Sequence, residues 1–448
     1  MSRGGEPRDL HSGMSGMDRG DERARRACMF VYNTMVHDAR VRKEARTLTE
    51  SGWEVTVLAI NDPGRTPREE TVHGFRIVRL SRSILGISRR EMRERVRGRA
   101  AAAPSSAASG VRGAGRRRSA KARAAALVES VVRLSVYPLR RVLVYLRFVR
   151  AALRTKAEVY HAHDLNTLLM AWTASRLRGA PLVYDTHEVA TDRTGLKFRW
   201  WAALLEGTLI RRADRVICTT QTRADFTQRK YGIAPPVVVR NLPAYLEATC
   251  SGIAQERMGL SADTKLVLYQ GGMQVQRGLE ELLEATTRIE GGVVLMLGSG
   301  RLKPALMERA ERLGLEGKVY FHDAVPVDEL PEWTACGYVG MQVLQDTCFN
   351  HHSSLSNKLL EYLMAGVPVV ASDLPEMRRV IEDTGAGVLI DASKPEAIAE
   401  AVNRMLREDG VREEMARRAR EARERYCWER EQHVLSELYA GLSQGAPA

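Results

Sequence analysis

Residues 268–285 read LYQGGMQVQRGLEELLEA. An apolar run stops at Gly271 and Gly272, and a polar stretch follows. After Arg277 and Gly278, the apolar positions Leu279, Leu282 and Leu283 recur at helical spacing. The pattern predicts a strand that passes through a glycine turn into a helix. Glycines let main chain approach a ligand, and a helix N-terminus offers unpaired N–H groups with a positive dipole end. An arginine fork suits phosphate. The stretch thus has the parts of an anion site, of a kind that would hold a diphosphate. It is neither G-x-G-x-x-G nor a P-loop, so on spacing alone a tight turn with a surface arginine explains it equally well.

The alternation continues in both directions. KLVLYQ, GGVVLMLGSG, KVYFHD, YVGMQVL, PVVASD and GVLID alternate with periodic helices, one of which carries Ile398, Ala401, Val402, Met405 and Leu406. Upstream, CMFVYN, WEVTVLAI, FRIVRL, AEVYHAHD, PLVYDTHE, DRVICTT and PVVVRN form an earlier series. Such alternation implies parallel sheets covered on both faces. The expected fold class is α/β, with two Rossmann-like domains facing a central cleft and the chemistry in the loops after the strands. The boundaries read from the sequence are a disordered segment at 1–27, a first domain at 28–240 and a linker at 241–252. A second domain follows at 253–426. A closing helix at 427–445 has Trp428, Val434, Leu435, Leu438 and Leu442 as its packing face.

At 448 residues and 44% apolar content, the chain suits two or three globular domains. No apolar leader opens it and no apolar run reaches about 18 residues, so neither a secretory signal nor a membrane span is expected. Six scattered cysteines without a C-x-x-C pair favour a reducing cytoplasm. The net charge of +13 is concentrated, with 17 Lys/Arg against 3 Glu between Arg89 and Arg150. Much of that surplus lies in a low-complexity insert at about 89–127. Beyond Pro138 a helix is expected to about Lys156, with Arg140, Arg147 and Arg154 forming one cationic stripe on an otherwise apolar background. A stripe of this kind suits an anionic membrane surface, each basic residue contributing about 1 kcal/mol at best. Peripheral binding at the inner face of the plasma membrane through 89–154 therefore stands beside the plainer reading of an arginine-rich loop and an ordinary helix. Nucleic acid is not expected as a partner, because no aromatic residue lies between Arg89 and Val136 to stack on bases.

A second constellation is SLSNKLLEYLMAGVPVVAS at 353–371. A helix starting near Ser356 and Asn357 would aim its N-terminus, with Lys358, at the same anion. Glu361 lies one turn further in, where a carboxylate fits vicinal hydroxyls such as those of a ribose; taken alone, a half-buried helix with a solvated lysine and glutamate explains the stretch better.

Here the chain resembles the family-4 glycosyltransferases of the GT-B fold. The resemblance is carried by YQGGMQVQRGLEELLEA, LLEYLMAGVPVVASDLPEMRRVI, GAGVLI and KPEAIAEAVNRML, and in the first half by HAHDLNTLLMA and YDTHE. It implies transfer of a sugar from a nucleoside diphosphate sugar to a carbohydrate or lipid-linked hydroxyl, with retention of configuration. No metal or other cofactor is implied, and no D-x-D occurs in the chain. The donor would be held by Gly271, Gly272, Arg277, Ser356, Asn357, Lys358 and Glu361. The resemblance makes His187, Arg277 and Lys358 the catalytic set. Two positions depart from the family pattern: Gly272 stands where an arginine is usual, and Ser353 where a glutamate contacts the donor sugar. Asn350, His351 or His352 could supply the missing contact.

His163 and Asp164 in HAHD, with His187 in YDTHE, are the acceptor-side candidates. His161, His163 and His187 with Asp164 and Glu188 also contain donors that zinc or iron accepts, but the same groups bind sugar hydroxyls, and the reading adopted is metal-free. His161 is expected to point away from His163 into a packed position. Two rivals share the fold: a nucleotide-sugar epimerase or hydrolase, which needs no separate acceptor, and a non-catalytic nucleotide-binding adaptor, favoured by the two departures.

Overall fold

The computed structural model describes residues 24–83, 139–192 and 199–443. The lead-in expected at 1–27 therefore lies almost wholly outside the described residues, and the basic insert at 89–127 wholly so.

The first domain is built on an eight-stranded sheet. Its strands are β1 (Arg25–Phe30), β2 (Trp53–Ile60), β3 (Glu69–Val72), β4 (Phe75–Leu80), β5 (Val159–His163), β6 (Leu182–Thr186), β7 (Arg215–Cys218) and β8 (Val237–Val238). They lie in the order β3-β4-β2-β1-β5-β6-β7-β8. β1 begins at Arg25, ahead of the boundary expected at 28. The inner strands VYHAH and LVYDT are buried along their whole length, which a parallel sheet covered on both faces requires. β3 departs from the expected all-parallel scheme. It pairs antiparallel with β4 through a turn at His73 and Gly74, both at positive φ, and its EETV alternates half-buried with exposed.

The second domain carries six parallel strands, β9 (Leu266–Gln270), β10 (Val293–Leu297), β11 (Val319–His322), β12 (Val339–Gln342), β13 (Val369–Ser372) and β14 (Gly387–Ile390). Their order is β11-β10-β9-β12-β13-β14. Among the parallel strands of each sheet the order reverses once, between β1 and β5 and between β9 and β12. Open α/β sheets bind ligands outside the carboxyl ends of the strands at such reversals. Those ends are His163-Asp164 in the first domain and Gln270-Gly271-Gly272 in the second.

Apolar side chains cover both faces of each sheet. The helix Trp428–Ser443 returns to the first domain, where Trp428, Leu435, Leu438 and Tyr439 join the core beside Trp53 and Leu48. Trp428 Nε1 donates to Thr47 Oγ1 at 3.0 Å, and Arg240 pairs with Glu431 at 2.6 Å.

The helix over 139–155 faces the sheet with Val144, Phe148 and Ala152. Its expected cationic stripe is corrected in part: Arg147 is half-buried and donates to the carbonyls of Ser81 (2.6 Å) and Ser83 (2.7 Å), and Arg140 is also half-buried, whereas Arg154 is exposed. The outward face is mixed, with Leu139, Val142 and Leu146 each more than half exposed beside the exposed Arg141, Arg150 and Arg154. This happens because the sheet-facing arc of the helix is wider than two rows. A residue at its margin, such as Arg147, then finds main-chain acceptors before it finds solvent.

Candidate active site at the interdomain cleft

The turn after β9 is set by close main-chain packing. Gly271 has φ +113, and a side chain on it would meet Lys358 Cε at 2.8 Å. Gly298, after β10, has φ +146 and would meet the Gly271 carbonyl oxygen at 2.0 Å; Gly300 would meet that of Met273 at the same distance. The two loops lie so close that only glycine fits between them. Gly278 is fixed likewise by the Val343 carbonyl. Gly271 and Gly272 remain exposed on the cleft side. Only the glycines of 268–285 were read as functional, so Gly298 and Gly300 were missed. The signal was LGSG at the end of the next strand.

The helix Asn357–Ala365 starts at Ser356, which has extended φ and ψ and makes no side-chain cap. Its N-terminal amides are thus left to whatever approaches the cleft. Lys358 lies in the first turn, with Nζ 5.0 Å from the centre of the Tyr269 ring. Burial first, and then the neighbouring Arg277 guanidinium, press its pKa down to about 8. The structure therefore brings Arg277 and Lys358 together although 80 residues of chain separate them. One turn on, burial raises the pKa of Glu361, which accepts from Gln270 Nε2 at 2.6 Å. Gln270 in turn accepts from Thr334 Oγ1 at 2.8 Å, so the carboxylate is aimed by a buried chain that the sequence reading did not contain.

Ser353, where the family glutamate is missing, is fully buried. Its Oγ donates to Phe349 O and accepts from Arg223 Nε at 3.1 Å. Asn350 is occupied in bridging the domains, accepting from Val189 N at 2.9 Å. His352 faces Asp346 at 3.0 Å on the surface. His351 has its pKa lowered by burial and by Arg277, which places it on the donor side.

On the first domain, His163 Nδ1 and His187 Nε2 are 3.1 Å apart, and His187 Nε2 is 3.3 Å from Asp185 Oδ2. Burial alone would lower the His187 pKa; the Asp185 carboxylate overrides it and pushes the pKa up to about 9. Asp164, at φ +65, has Oδ2 4.0 Å from His187 Nδ1. Arg40 donates to Asp185 Oδ2 from Nε (3.0 Å) and Nη2 (2.8 Å) and pairs with Glu44 one turn along its own helix. Arg40, Glu44 and Asp185 were all missed by the sequence reading. The expectation for His161 is corrected as well. Its ring stacks on His163 with centroids 4.2 Å apart, because residues two apart in a strand share a face.

Arg40, Asp164, His187, Glu188, Thr219, Arg223 and Asn357 border a cavity of about 340 Å³ between the domains. Arg223 straps it from behind, donating to His187 O (2.6 Å), Ser353 Oγ and Asn350 O (3.2 Å). Thr220 and Thr222 add bonds to Ser353 O and Glu376. The donor-side loops and the histidine cluster thus face one cleft.

Two opposed α/β domains, with a cationic glycine turn on one and a histidine–carboxylate cluster on the other, define the class as a GT-B glycosyltransferase. A family model described as "Glycosyl transferase 4-like domain" matches residues 37–243, and one described as "Glycosyl transferases group 1" matches residues 264–408. Together they span most of the chain, which belongs to the family-4 glycosyltransferases. Among curated proteins, a D-inositol 3-phosphate glycosyltransferase of Xylanimonas cellulosilytica is 26% identical over 319 residues, covering 65% of this chain and 73% of the relative. One from Streptomyces bingchenggensis is 25% identical, covering 64% and 67%. Among solved structures, sucrose-phosphate synthase of Thermosynechococcus elongatus has a TM-score of 0.69 at 16% identity, covering 94% of this chain and 100% of that one. Anabaena HepE in complex with UDP has a TM-score of 0.67 at 15% identity, with the same coverage. At these identities the structural likeness shows the fold.

Proposed function

We infer that the protein is a retaining, metal-independent glycosyltransferase that moves a sugar from a nucleoside diphosphate sugar to an acceptor hydroxyl. The observation that carries this reading is the convergence of Arg277, Lys358, the open Gly271-Gly272 turn and the uncapped helix start at Ser356 on one side of the cleft. Two cations pressed together await a multiply charged anion, and they can neutralise a leaving diphosphate without a divalent ion there. Glu361, steadied by Gln270, suits the ribose hydroxyls. HepE is described in complex with UDP-glucose, in keeping with such a donor.

The acceptor would lie against Asp164 and His187. Its hydroxyl attacks the anomeric carbon on the face from which the diphosphate departs. The new C–O bond forms as the C–O bond to phosphate breaks, and the hydroxyl proton passes to a phosphate oxygen. Protonated His187 contributes a hydrogen bond to the sugar rather than a base. The acceptor would be a lipid-linked or cell-surface polysaccharide precursor, met at the cytoplasmic membrane face. In support, Leu139, Val142 and Leu146 stand exposed on the helix over 139–155, as do Trp200, Trp201 and Leu204 on the helix Arg199–Ile210. The helix Leu165–Arg178 packs beside both. No helix among the described residues is long and apolar enough to cross a membrane.

The test is a thermal-shift screen of UDP-, GDP- and ADP-sugars in EDTA, followed by the anomeric configuration of the product. A ligand that binds only the folded state raises its melting temperature. A rise with one base, surviving EDTA, and a retained anomer are expected. The reading falls if no donor binds without a divalent cation, or if the product is inverted.

A further inference from the structure

Behind the cleft floor, four buried side chains from three elements turn toward one point: Glu44 from the helix Ala39–Glu50, His161 and His163 from β5, and Asp185 from β6. One donor atom from each lies within 4.8 Å of all the others. Each side chain is at most 2% exposed. Glu44 Oε2, His161 Nε2, His163 Nε2 and Asp185 Oδ1 have no hydrogen-bond partner among the described residues, and Glu44 Oε1 meets only Arg40 Nε, at 2.9 Å. Native folds rarely leave buried polar atoms unmatched, and here four are grouped.

The other ring nitrogens are occupied. His161 Nδ1 meets Tyr439 Oη at 2.9 Å, and His163 Nδ1 lies 3.5 Å from Asp185 Oδ2, the oxygen that His187 Nε2 also approaches at 3.3 Å. Both imidazoles therefore present Nε2 inward while a second partner fixes ring orientation, as metal-bound histidines do.

We propose that Glu44, His161, His163 and Asp185 form a closed structural site for a divalent first-row transition metal of zinc's class. Two nitrogens and two oxygens make a set that zinc accepts at about 2.0–2.2 Å in a tetrahedron, whose edges are then roughly 3.4 Å. Glu44 Oε2 and His163 Nε2 are 3.9 Å apart, so metal entry draws the set inward by a fraction of an ångström along that edge. Four protein ligands leave no open position, so the ion performs no step of sugar transfer. It joins the first helix, the central strands and, through Tyr439, the returning C-terminal helix. This revises the expectation of a metal-free chain without touching the diphosphate site, and it stands whether or not the donor reading does.

The test uses the full-length chain, expressed without a histidine tag in medium supplemented with zinc, manganese and iron and purified without chelator. Elemental analysis is expected to find about one metal ion per chain. Glu44→Gln and His161→Ala should each lose it, and Lys358→Ala should keep it. Because the two variants could fail to fold, wild-type protein stripped with dipicolinate is titrated with Co(II). An intense ligand-field band that saturates at about one equivalent is expected, and it should vanish on zinc addition. Metal content below about a tenth of an equivalent together with no cobalt band overturns the proposal, as does metal retained in both folded variants. The cluster would then be held by protons and water alone.

Discussion

The two walls of the cleft handle charge in opposite ways. On the second domain, Arg277 and Lys358 press on each other, and neither forms an ion pair among the described residues. On the first, Arg40 is gripped by Glu44 and Asp185, and His187 by Asp185. The cations of one wall lack a counter-charge until an anion arrives; those of the other are already paired within the protein. The first arrangement suits a ligand that departs with altered charge, because its interactions strengthen as the diphosphate gains charge in the transition state. The second suits the holding of rings and hydroxyls in fixed geometry.

Breaking the matched wall should have the largest effect. Asp185→Asn removes one partner of a buried, hydrogen-bonded ion pair and is expected to cost about 3–5 kcal/mol. Denaturant midpoints would register this, and a change below about 1 kcal/mol would mean that the network carries little stability. On the unmatched wall, Lys358→Ala should leave the fold intact and lower turnover by roughly 100- to 1,000-fold, as loss of one transition-state donor does. Arg277→Ala, at a half-exposed position, should lower it less, by about tenfold or more. Equal stability losses for Asp185→Asn and Lys358→Ala would erase the contrast between the walls.

Gly298→Ala tests the glycine turn itself. Its Cβ would meet the Gly271 carbonyl at 2.0 Å, so the loop must move and nucleoside diphosphate binding should weaken by about tenfold, about 1.4 kcal/mol. Titration calorimetry would show it. The pH dependence is subtler. Lys358, pressed to about 8, is increasingly neutral above that pH in the unliganded protein, whereas a bound diphosphate favours the charged form. Binding between about pH 8 and 10 should therefore take up a proton, with affinity falling by up to about tenfold per pH unit. The unliganded fold behaves oppositely. A lysine pKa depressed by folding costs stability below pH 8, and that penalty is relieved as pH rises toward the unfolded value of about 10.5. Calorimetry in buffers of different ionisation enthalpy would reveal the proton; its absence would place Lys358 away from the diphosphate. The smallest effect expected is that of Leu146→Glu, which should reduce co-sedimentation with phosphatidylserine-rich vesicles by a few-fold without altering turnover on a soluble acceptor.

Much of the donor side was legible in sequence because its parts are local. A strand, a glycine pair, a cation and a helix start follow one another within 268–285, and the second helix shows its own period. Gln270 and Thr334, which aim Glu361, could not be read, since they meet it only through packing. The first-domain cluster was half legible. HAHD and YDTHE announced polar strand ends, but nothing in the helix Ala39–Glu50 marks Arg40 and Glu44 as inward charges. Charged residues at helical spacing are ordinarily solvated. The error over His161 was one of periodicity, since the strand places it beside His163 and the fold brings Tyr439 to its other nitrogen.

By itself the sequence determined the alternation of strand and helix, the division into two α/β domains and the residues of the anion-binding turn. These follow from periodicity and from the backbone freedom of glycine, which act over a few neighbouring residues. Only the tertiary structure decided which charges are matched, that Arg277 stands beside Lys358, and that Glu44, His161, His163 and Asp185 share one buried point. Coulomb and desolvation energies depend on distance and burial in space, and the chain brings those groups together from positions far apart.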